Sequence, residues 1–426
     1  TDDGLNVYTA HDNGSSVSVN HVTGGENGID IDAPTTTNLS VTASGNVSGT
    51  NGVGINVNVR DDFGYNTPGT IDIDAVNVTG GTYGVIANID TYGSLEITTT
   101  GQVTGALNSG ISTRTGENTK STTLQANAVI GGGDGISISA AGTGTTDVSA
   151  TGDVIGQSQF GINVATEETA GAVTLDVAAV SGETGGISVD HDGTGAVSIS
   201  ASGLVTSEAG RGISVVNTQA GTSIAVNAAA VQSAEEGIFV DNFGTEGVAI
   251  VATGQITTLG DFDGIDVTNS RFGTDATVSV AGVQAGDDGI NVTNSGNGVT
   301  RVSATDMVQG NGRDGIRIST GLSGGDVSVD VASVEGRTDG IDISNRGRGR
   351  TSVTSTGSVV GTGETSRGII AELGQSADAT FDVGDVTGTS DGIVVNKAGP
   401  GAVTIGSSGT VTGQNRDGIN AQLRGS

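Results

Sequence analysis

Aspartates that recur immediately before a glycine are the residues in this sequence with the clearest capacity for chemistry. Four of them, Asp263, Asp288, Asp314 and Asp339, follow one another at an almost constant step. If the chain coils once per step, their carboxylates stack about 5 Å apart and repel one another. Calcium would relieve that repulsion, because it accepts oxygen ligands in flexible geometry. Asp before Gly is also ordinary turn chemistry, which is the favoured interpretation of the row, and a calcium site is the alternative.

Residue types needed for catalysis are scarce and scattered. The histidines are His11, His21 and His191, and the adjacent acidic pairs Asp61-Asp62 and Asp287-Asp288 have no His or Lys partner near them in register. Paired carboxylates in an acidic chain are too common to indicate acid–base catalysis by themselves. We therefore predict that the protein is not an enzyme. We expect no cofactor, with calcium as the one ion that the acidic row would suit.

Two groups of side chains are candidates for contacts with a partner. An aromatic group falls within about one and a half repeats, and an exposed aromatic patch can mark a binding site; packing under their own loops is the alternative. A basic group could neutralise nearby carboxylates or hold an acidic subunit. These residues are Phe239, Phe243, Phe262 and Phe272, and Arg346, Arg348 and Arg350.

A repeated phrase positions all of these residues. It consists of a turn residue, Gly-Ile, a polar residue and Val or Ile, as in Asp288–Val292 and Asp339–Ile343. Its glycine, called the anchor below, recurs evenly from Gly4 to Gly418. A step of about 26 residues held this evenly indicates a solenoid.

Each repeat contains three short alternating segments separated by Gly, Asn, Asp and Ser. Alternation places one face inside and one outside, which is typical of strands. Because crossovers between parallel strands are generally right-handed, the sequence predicts an all-β, single right-handed parallel β-helix. It would have three short strands per 25–26-residue turn and about 16–17 turns. At about 4.8 Å per turn, this would be a rod of roughly 80 Å. We expect residues 1–426 to be one continuous solenoid, a segment of a longer chain.

Two finer regularities accompany the anchor. The distance from the anchor to the third segment is constant, as from Gly289 to Val308, while the distance onward to the next anchor alternates between 6 and 7 residues. This predicts a two-turn superrepeat of about 51 residues in which one corner alternates and the other two stay constant. Asparagine stands five residues after several anchors, at 217, 242, 269, 294 and 345, with Thr320 between the last two. Stacked amides can bond along the stack, so the sequence predicts an asparagine ladder.

Composition limits the kinds of partner that the chain can bind. Acidic residues outnumber basic ones 47 to 16, for a net charge of −31. This balance argues against nucleic acid and anionic lipid as partners, since both need a basic surface. There is no cysteine, and no apolar run is long enough to span a bilayer. We therefore expect neither a disulfide nor a membrane-embedded segment.

The phrase Gly195–Thr206, followed by Arg211-Gly212-Ile213 and repeated from Gly401 to Ile419, resembles the repeats of autotransporter passenger domains and other repetitive bacterial surface adhesins. That resemblance implies an extracellular location at the bacterial cell surface. It implies a structural role as adhesin, stalk or filament component. The partners would be further copies, end to end or laterally, or the surface of a host or neighbouring cell.

The alternative function is a calcium- or glycan-binding module acting through acidic corners and inserted loops. Such insertions lengthen the step between anchors at residues 61–68 and again around 361–367. In solenoids, insertions of this kind map to loops and often to binding faces.

Overall fold

Anchor glycines begin parallel strands that stack turn upon turn. The computed structural model describes residues 2–9, 14–34, 38–60 and 69–424, and these form a β-solenoid of about 16 turns with no helix. The all-β fold and the repeat length are confirmed. The chain divides into two compact units, residues 1–209 and 210–426. That they form one continuous solenoid stays a prediction.

Within each unit, the strand that contains or follows each anchor, called the anchor strand, pairs in parallel with its equivalent in the next turn. In the first unit Ile111, Ile136, Ile162 and Ile187 are in register, and all are essentially inaccessible to solvent. The described anchor strands of this unit are Leu5–Tyr8, Ile29–Ala33, Ile55–Arg60, Val85–Asp90, Ile111–Thr115, Ile136–Ala140, Phe160–Thr166 and Gly185–His191. Those of the second unit are Arg211–Asn217, Ile238–Asn242, Ile265–Asn269, Ile290–Asn294, Ile316–Thr320, Asp339–Asn345, Arg367–Leu373, Ile393–Lys397 and Ile419–Leu423.

The second and third segments of each turn form the opposite wall of the coil. In some turns they run on as one long strand: Leu39–Gly49, Thr70–Gly80, Ser94–Gly105, Ser121–Gly131 and Val197–Ser207 in the first unit, and Ile224–Ser233, Val248–Thr258, Ala276–Ala285, Thr300–Gly310 and Val327–Gly336 in the second. In others they are separate: Ser15–Val19 with Val22–Gly24, Thr145–Ala150 with Val154–Gly156, Val173–Val177 with Val180–Gly182, Thr351–Ser355 with Val359–Gly361, Ala379–Val383 with Val386–Gly388, and Val403–Ser407 with Val411–Gly413.

Close packing explains why the anchor is glycine. A Cβ atom on Gly28 would lie 2.6 Å from the carbonyl oxygen of Gly54 and 2.7 Å from Cγ1 of Val47. One on Gly340 would meet the same two groups, the next anchor's carbonyl at 2.6 Å and Val359 Cγ1 at 2.7 Å. The valine of the third segment therefore packs onto the bare anchor backbone, and a larger residue would force the layers apart.

The prediction that only one corner alternates is wrong. The first corner also changes, because the stretch Gly315–Val327 is one residue longer than its equivalent Gly289–Thr300 in the preceding turn. The link to the third segment changes the opposite way: Val331–Val334 is one residue shorter than Ala304–Val308, and that pairing contains a register irregularity. The two changes cancel, which is why the anchor-to-third-segment distance looks constant in the sequence. A β-bulge takes up the extra residue.

One of the two larger insertions can be placed in the coil. The additional residues around 361–367 lie at the third corner, between strands Val359–Gly361 and Arg367–Leu373. The insertion at 61–68, which includes Asp61-Asp62, lies outside the described residues, as does His11.

Candidate metal centre and contact surfaces

The aspartates before the anchors form a hydrogen-bonded row. Asp263 Oδ1 accepts the backbone N–H of Asp288 at 2.9 Å, and Asp288 Oδ1 accepts that of Asp314 at 2.7 Å. Asp314 Oδ1 accepts the N–H of Asp339 at 3.0 Å, and Asp339 Oδ1 accepts that of Arg367 at 2.7 Å. Each carboxylate thus ties its own turn to the next, which gives Asp at this position a structural role independent of any ion.

The same contact recurs in the first unit. Asp3 Oδ1 accepts the N–H of Asn27, Asn27 Oδ1 that of Val53, and Asp134 Oδ1 that of Phe160, at 2.8–3.0 Å. Asn and Asp are interchangeable there because the contact needs only an acceptor oxygen. The negative charge is not required for the stacking.

Only part of the predicted acidic set comes close enough to share an ion. Within the described residues, the donor group that could hold a metal is Asp263, Asp287 and Asp288, whose ligand oxygens lie within 4.8 Å of one another. Asp314 and Asp339 belong to the row but not to this group. Asp287 was absent from the predicted set, although its adjacency to Asp288 was the signal that could have found it. It enters because it stands beside Asp288 in the same corner, where Oδ2 of both residues lies 3.9 Å from Arg313 Nη1.

Burial dominates the electrostatics of this face. Desolvation raises the pKa of Asp263 to about 7, opposed by the hydrogen bond from the Asp288 N–H and reinforced by the Asp288 charge. Desolvation, followed by the charge of Asp288, raises the pKa of Asp314 to about 7. Asp266, next to the Glu236 charge, has its pKa raised by burial to about 6. Crowded, half-buried carboxylates resist full ionisation unless a cation joins them.

Among the described residues, Arg367 and Arg313 lie within 4.0 Å of carboxylates in or beside the row. Arg367 grips the buried Asp339 carboxylate with Nε at 3.0 Å from Oδ1 and Nη2 at 2.8 Å from Oδ2. Arg313 is less engaged, because its Nη1 lies 3.9 Å from Oδ2 of both Asp287 and Asp288. The first is a bidentate ion pair, whereas the second is beyond hydrogen-bond reach.

The asparagine ladder is confirmed in the second unit. Nδ2 of Asn217 donates to Oδ1 of Asn242 at 3.1 Å, Asn242 to Asn269 at 2.9 Å, and Asn269 to Asn294 at 3.1 Å. All four side chains are fully buried. Each amide also donates to a carbonyl of its own corner, such as Asn242 to Glu246 O at 3.1 Å. The ladder therefore satisfies the backbone of the corner that follows the anchor strand.

The four phenylalanines occupy three different places in the turn. Phe239 lies on an anchor strand, pairing with Ser214 and Asp266, and Arg211 covers its ring at 3.7 Å from the centroid. Phe243 and Phe272 lie in the corner after the anchor strand, and Phe262 lies in the corner before it. Their exposed fractions are 45% for Phe243, 42% for Phe272 and 38% for Phe262.

The predicted basic group is exposed, and the backbone N–H of Arg350 donates to Asp326 Oδ1 at 2.7 Å. In the part of the chain that the structure describes, no salt bridge within 4.0 Å includes Arg346, Arg348 or Arg350. Arg348 Nε donates to Gln375 Oε1 at 3.2 Å. Arg346 and Arg348 line an open groove of about 850 Å³ with Leu322.

His191 in the first unit is a buried titratable side chain outside the acidic row. It is fully buried, and its Nδ1 lies 2.8 Å from Thr166 Oγ1. Its Nε2 has no hydrogen-bond partner, and burial lowers the pKa of the ring. It occupies the ladder position, five residues after an anchor, and is part of the core.

Comparison with known proteins gives no match. No protein-family model matches the chain, nor does any curated protein or solved structure. Among the described residues, no helix is long and apolar enough to cross a membrane.

Proposed function

We propose that this chain is a structural β-solenoid, surface-exposed or secreted by a bacterium, that acts as an adhesin, stalk or filament component without catalysis. The observation that supports this most is repetition in register: the second unit stacks Ile265, Ile290, Ile316 and Ile341 directly on one another. A stack of this kind resists shortening, because every layer bonds to the next along the backbone. Such a stack would hold whatever is attached at its two ends a fixed distance apart.

Surface chemistry is consistent with such a role. A net charge of −31 keeps chains apart at low salt and favours solubility. The exposed Phe243, Phe262 and Phe272 are places where a spacer would meet a partner. So are Arg346 and Arg348, which have no close carboxylate in the described part of the chain. That partner would be another copy of this acidic chain or an acidic surface of a neighbouring cell.

Negative-stain electron microscopy of the isolated chain tests the proposal. Elongated particles one solenoid turn wide, with the roughly 80 Å length expected from about 4.8 Å per turn, would support it. Rounded particles without a long axis would reject it. A broad panel of acidic polysaccharides gives a second test, since any cleavage would reject the non-catalytic part.

A second candidate function is binding of calcium or of a glycan through the acidic corners. The observation that favours calcium is the convergence of Asp263, Asp287 and Asp288 within 4.8 Å. A thermal melt with and without chelator discriminates, because emptying an ion site lowers the stability of the folded state. If the melting temperature is the same with and without chelator, the calcium function is rejected and the structural role remains.

A further inference from the structure

We propose that Asp263, Asp287 and Asp288 form a divalent-cation site, suited to calcium, that clamps two successive turns of the second unit. Asp263 precedes the anchor of one turn, and Asp287 and Asp288 precede the anchor of the next. An ion held by all three would cross-link the two layers at their corner. The inference deepens the second candidate function and rests on it, whereas the structural role holds or fails separately, by electron microscopy.

The donor oxygens are close enough to share one calcium ion. Calcium binds oxygen at about 2.3–2.6 Å, so opposite ligands in its shell are about 4.6–5.2 Å apart. The three ligand oxygens lie within 4.8 Å of one another. Magnesium demands near-ideal octahedral geometry at about 2.0–2.1 Å and usually keeps several waters, so a set of three protein carboxylates suits calcium better. Water would supply the remaining ligands at the partly exposed side of Asp287.

An unpartnered buried oxygen is the independent sign of a ligand. Asp288 is fully buried, its Oδ1 is occupied by the Asp314 N–H, and its Oδ2 has no hydrogen-bond partner. Arg313 Nη1 lies 3.9 Å from Oδ2. Buried carboxylates are ordinarily paired, hydrogen-bonded or bound to a metal, because an isolated one is costly. Asp288 Oδ2 is therefore the buried ligand oxygen that the inter-turn hydrogen bond does not use.

Charge also favours a divalent ion. When ionised, three carboxylates and the nearby Arg313 guanidinium sum to −2. The neighbouring charges of Asp261 and Asp266 outnumber that of Arg317, so the surroundings attract a divalent cation. Asn291 Nδ2 lies 3.4 Å from Asp263 Oδ2, which orients that carboxylate without neutralising it. Arg313 is half exposed and makes no close bond to either carboxylate, so it can move toward solvent when an ion enters.

The test is titration of the full chain with Ca²⁺ by calorimetry and with Tb³⁺ by luminescence. We expect one saturable site with affinity in the about 0.1–1 mM range of extracellular modules, or tighter. Asp287→Asn, which leaves the inter-turn row intact, should weaken that site at least tenfold. Asp134→Asn is the control, because Asp134 is a carboxylate at the position of Asp263 and Asp288, directly before an anchor, and does not belong to the group. It should bind as the parent chain does.

Arginine variants separate a built site from general attraction to an acidic surface. Arg313→Met removes a competing cation from the site and should tighten binding, whereas Arg301→Met, exposed on the opposite wall, should not. Equal effects of both arginine variants, or equal losses in Asp134→Asn and Asp287→Asn, would overturn the proposal. So would the absence of saturable binding at about 10 mM Ca²⁺, well above that affinity range. Tighter binding of Mg²⁺ than of Ca²⁺ would also contradict the assignment to calcium.

Discussion

The two units build the same coil with different side chains at the same position. Five residues after the anchor, the described turns of the first unit carry small, apolar or hydroxyl residues and one histidine: Thr9, Ala33, Val59, Ile89, Thr115, Ala140, Thr166 and His191. At the same place the second unit carries four successive stacked asparagines, from Asn217 to Asn294. Both choices fill the slot and keep the register. Backbone pairing and the glycine anchors therefore set the coil, and the ladder position is free to add polar cohesion.

The two units also differ in how deeply their ion pairs are buried. The first unit has an exposed pair, Arg60 with Asp32 at 3.0 Å, whose side chains are 49% and 43% exposed. The second has Arg367 on Asp339, whose carboxylate is 2% exposed. Exposed pairs contribute little, whereas breaking a buried pair leaves a charge in a poor solvent. The second unit should therefore be the more sensitive to single polar substitutions.

The largest effect is expected from Arg367→Met. Removing the guanidinium leaves the Asp339 carboxylate buried without a counter-charge, which should lower the free energy of unfolding by about 3 kcal/mol, since Arg367 is itself partly exposed. Arg60→Met in the first unit should cost less than about 1 kcal/mol. Urea denaturation of both variants measures the difference. Adding Asp339→Asn to Arg367→Met should recover part of the loss, and equal losses in the two single variants would remove the contrast between the units.

A smaller effect is expected within the ladder. Asn269→Ala deprives Asn242 Nδ2 of an acceptor and Asn294 Oδ1 of a donor, so we expect a loss of about 2 kcal/mol in the free energy of unfolding. Thr115→Ala is the matched change in the first unit, and its hydroxyl has no hydrogen-bond partner. It should cost less than about 1 kcal/mol. If thermal melts show the reverse order, the ladder is not a source of cohesion.

The smallest effect is expected from pH acting on His191. Burial lowers the folded-state pKa below 6.5, so the unfolded chain takes up the proton first. Stability should fall as the pH drops through 6.5 and level off below the folded-state pKa. Carboxylates of the second unit act oppositely: Asp266, whose pKa is raised from 3.8 to about 6, loses its contribution as the pH rises through that window. The difference between the parent chain and His191→Asn isolates the histidine, and identical pH profiles would contradict this account.

Much of the fold could be predicted from the sequence, because the residues that determine it recur at a regular spacing. Anchor spacing predicted the layers, and the asparagine spacing predicted the ladder, since both depend on positions one turn apart. Compensating corners were missed because their length changes cancel between Gly289 and Val308. The phenylalanines were grouped by sequence distance, although Phe262 and Phe272 fall on opposite sides of an anchor strand. The inclusion of Asp287 in the candidate metal site depends on the orientation of side chains at a corner, which residue spacing does not determine.

Distances between spin labels along the second unit test the stacking most directly. The chain has no cysteine, so labels can be placed at Thr268 together with Ser344, Glu372 or Asn396, which lie three, four and five turns away in register. Mean distances measured by double electron–electron resonance should rise by about 4.8 Å per turn, to about 24 Å at Asn396. Distances that do not increase evenly, or that far exceed this value at Asn396, would contradict the stacked coil on which every other conclusion depends.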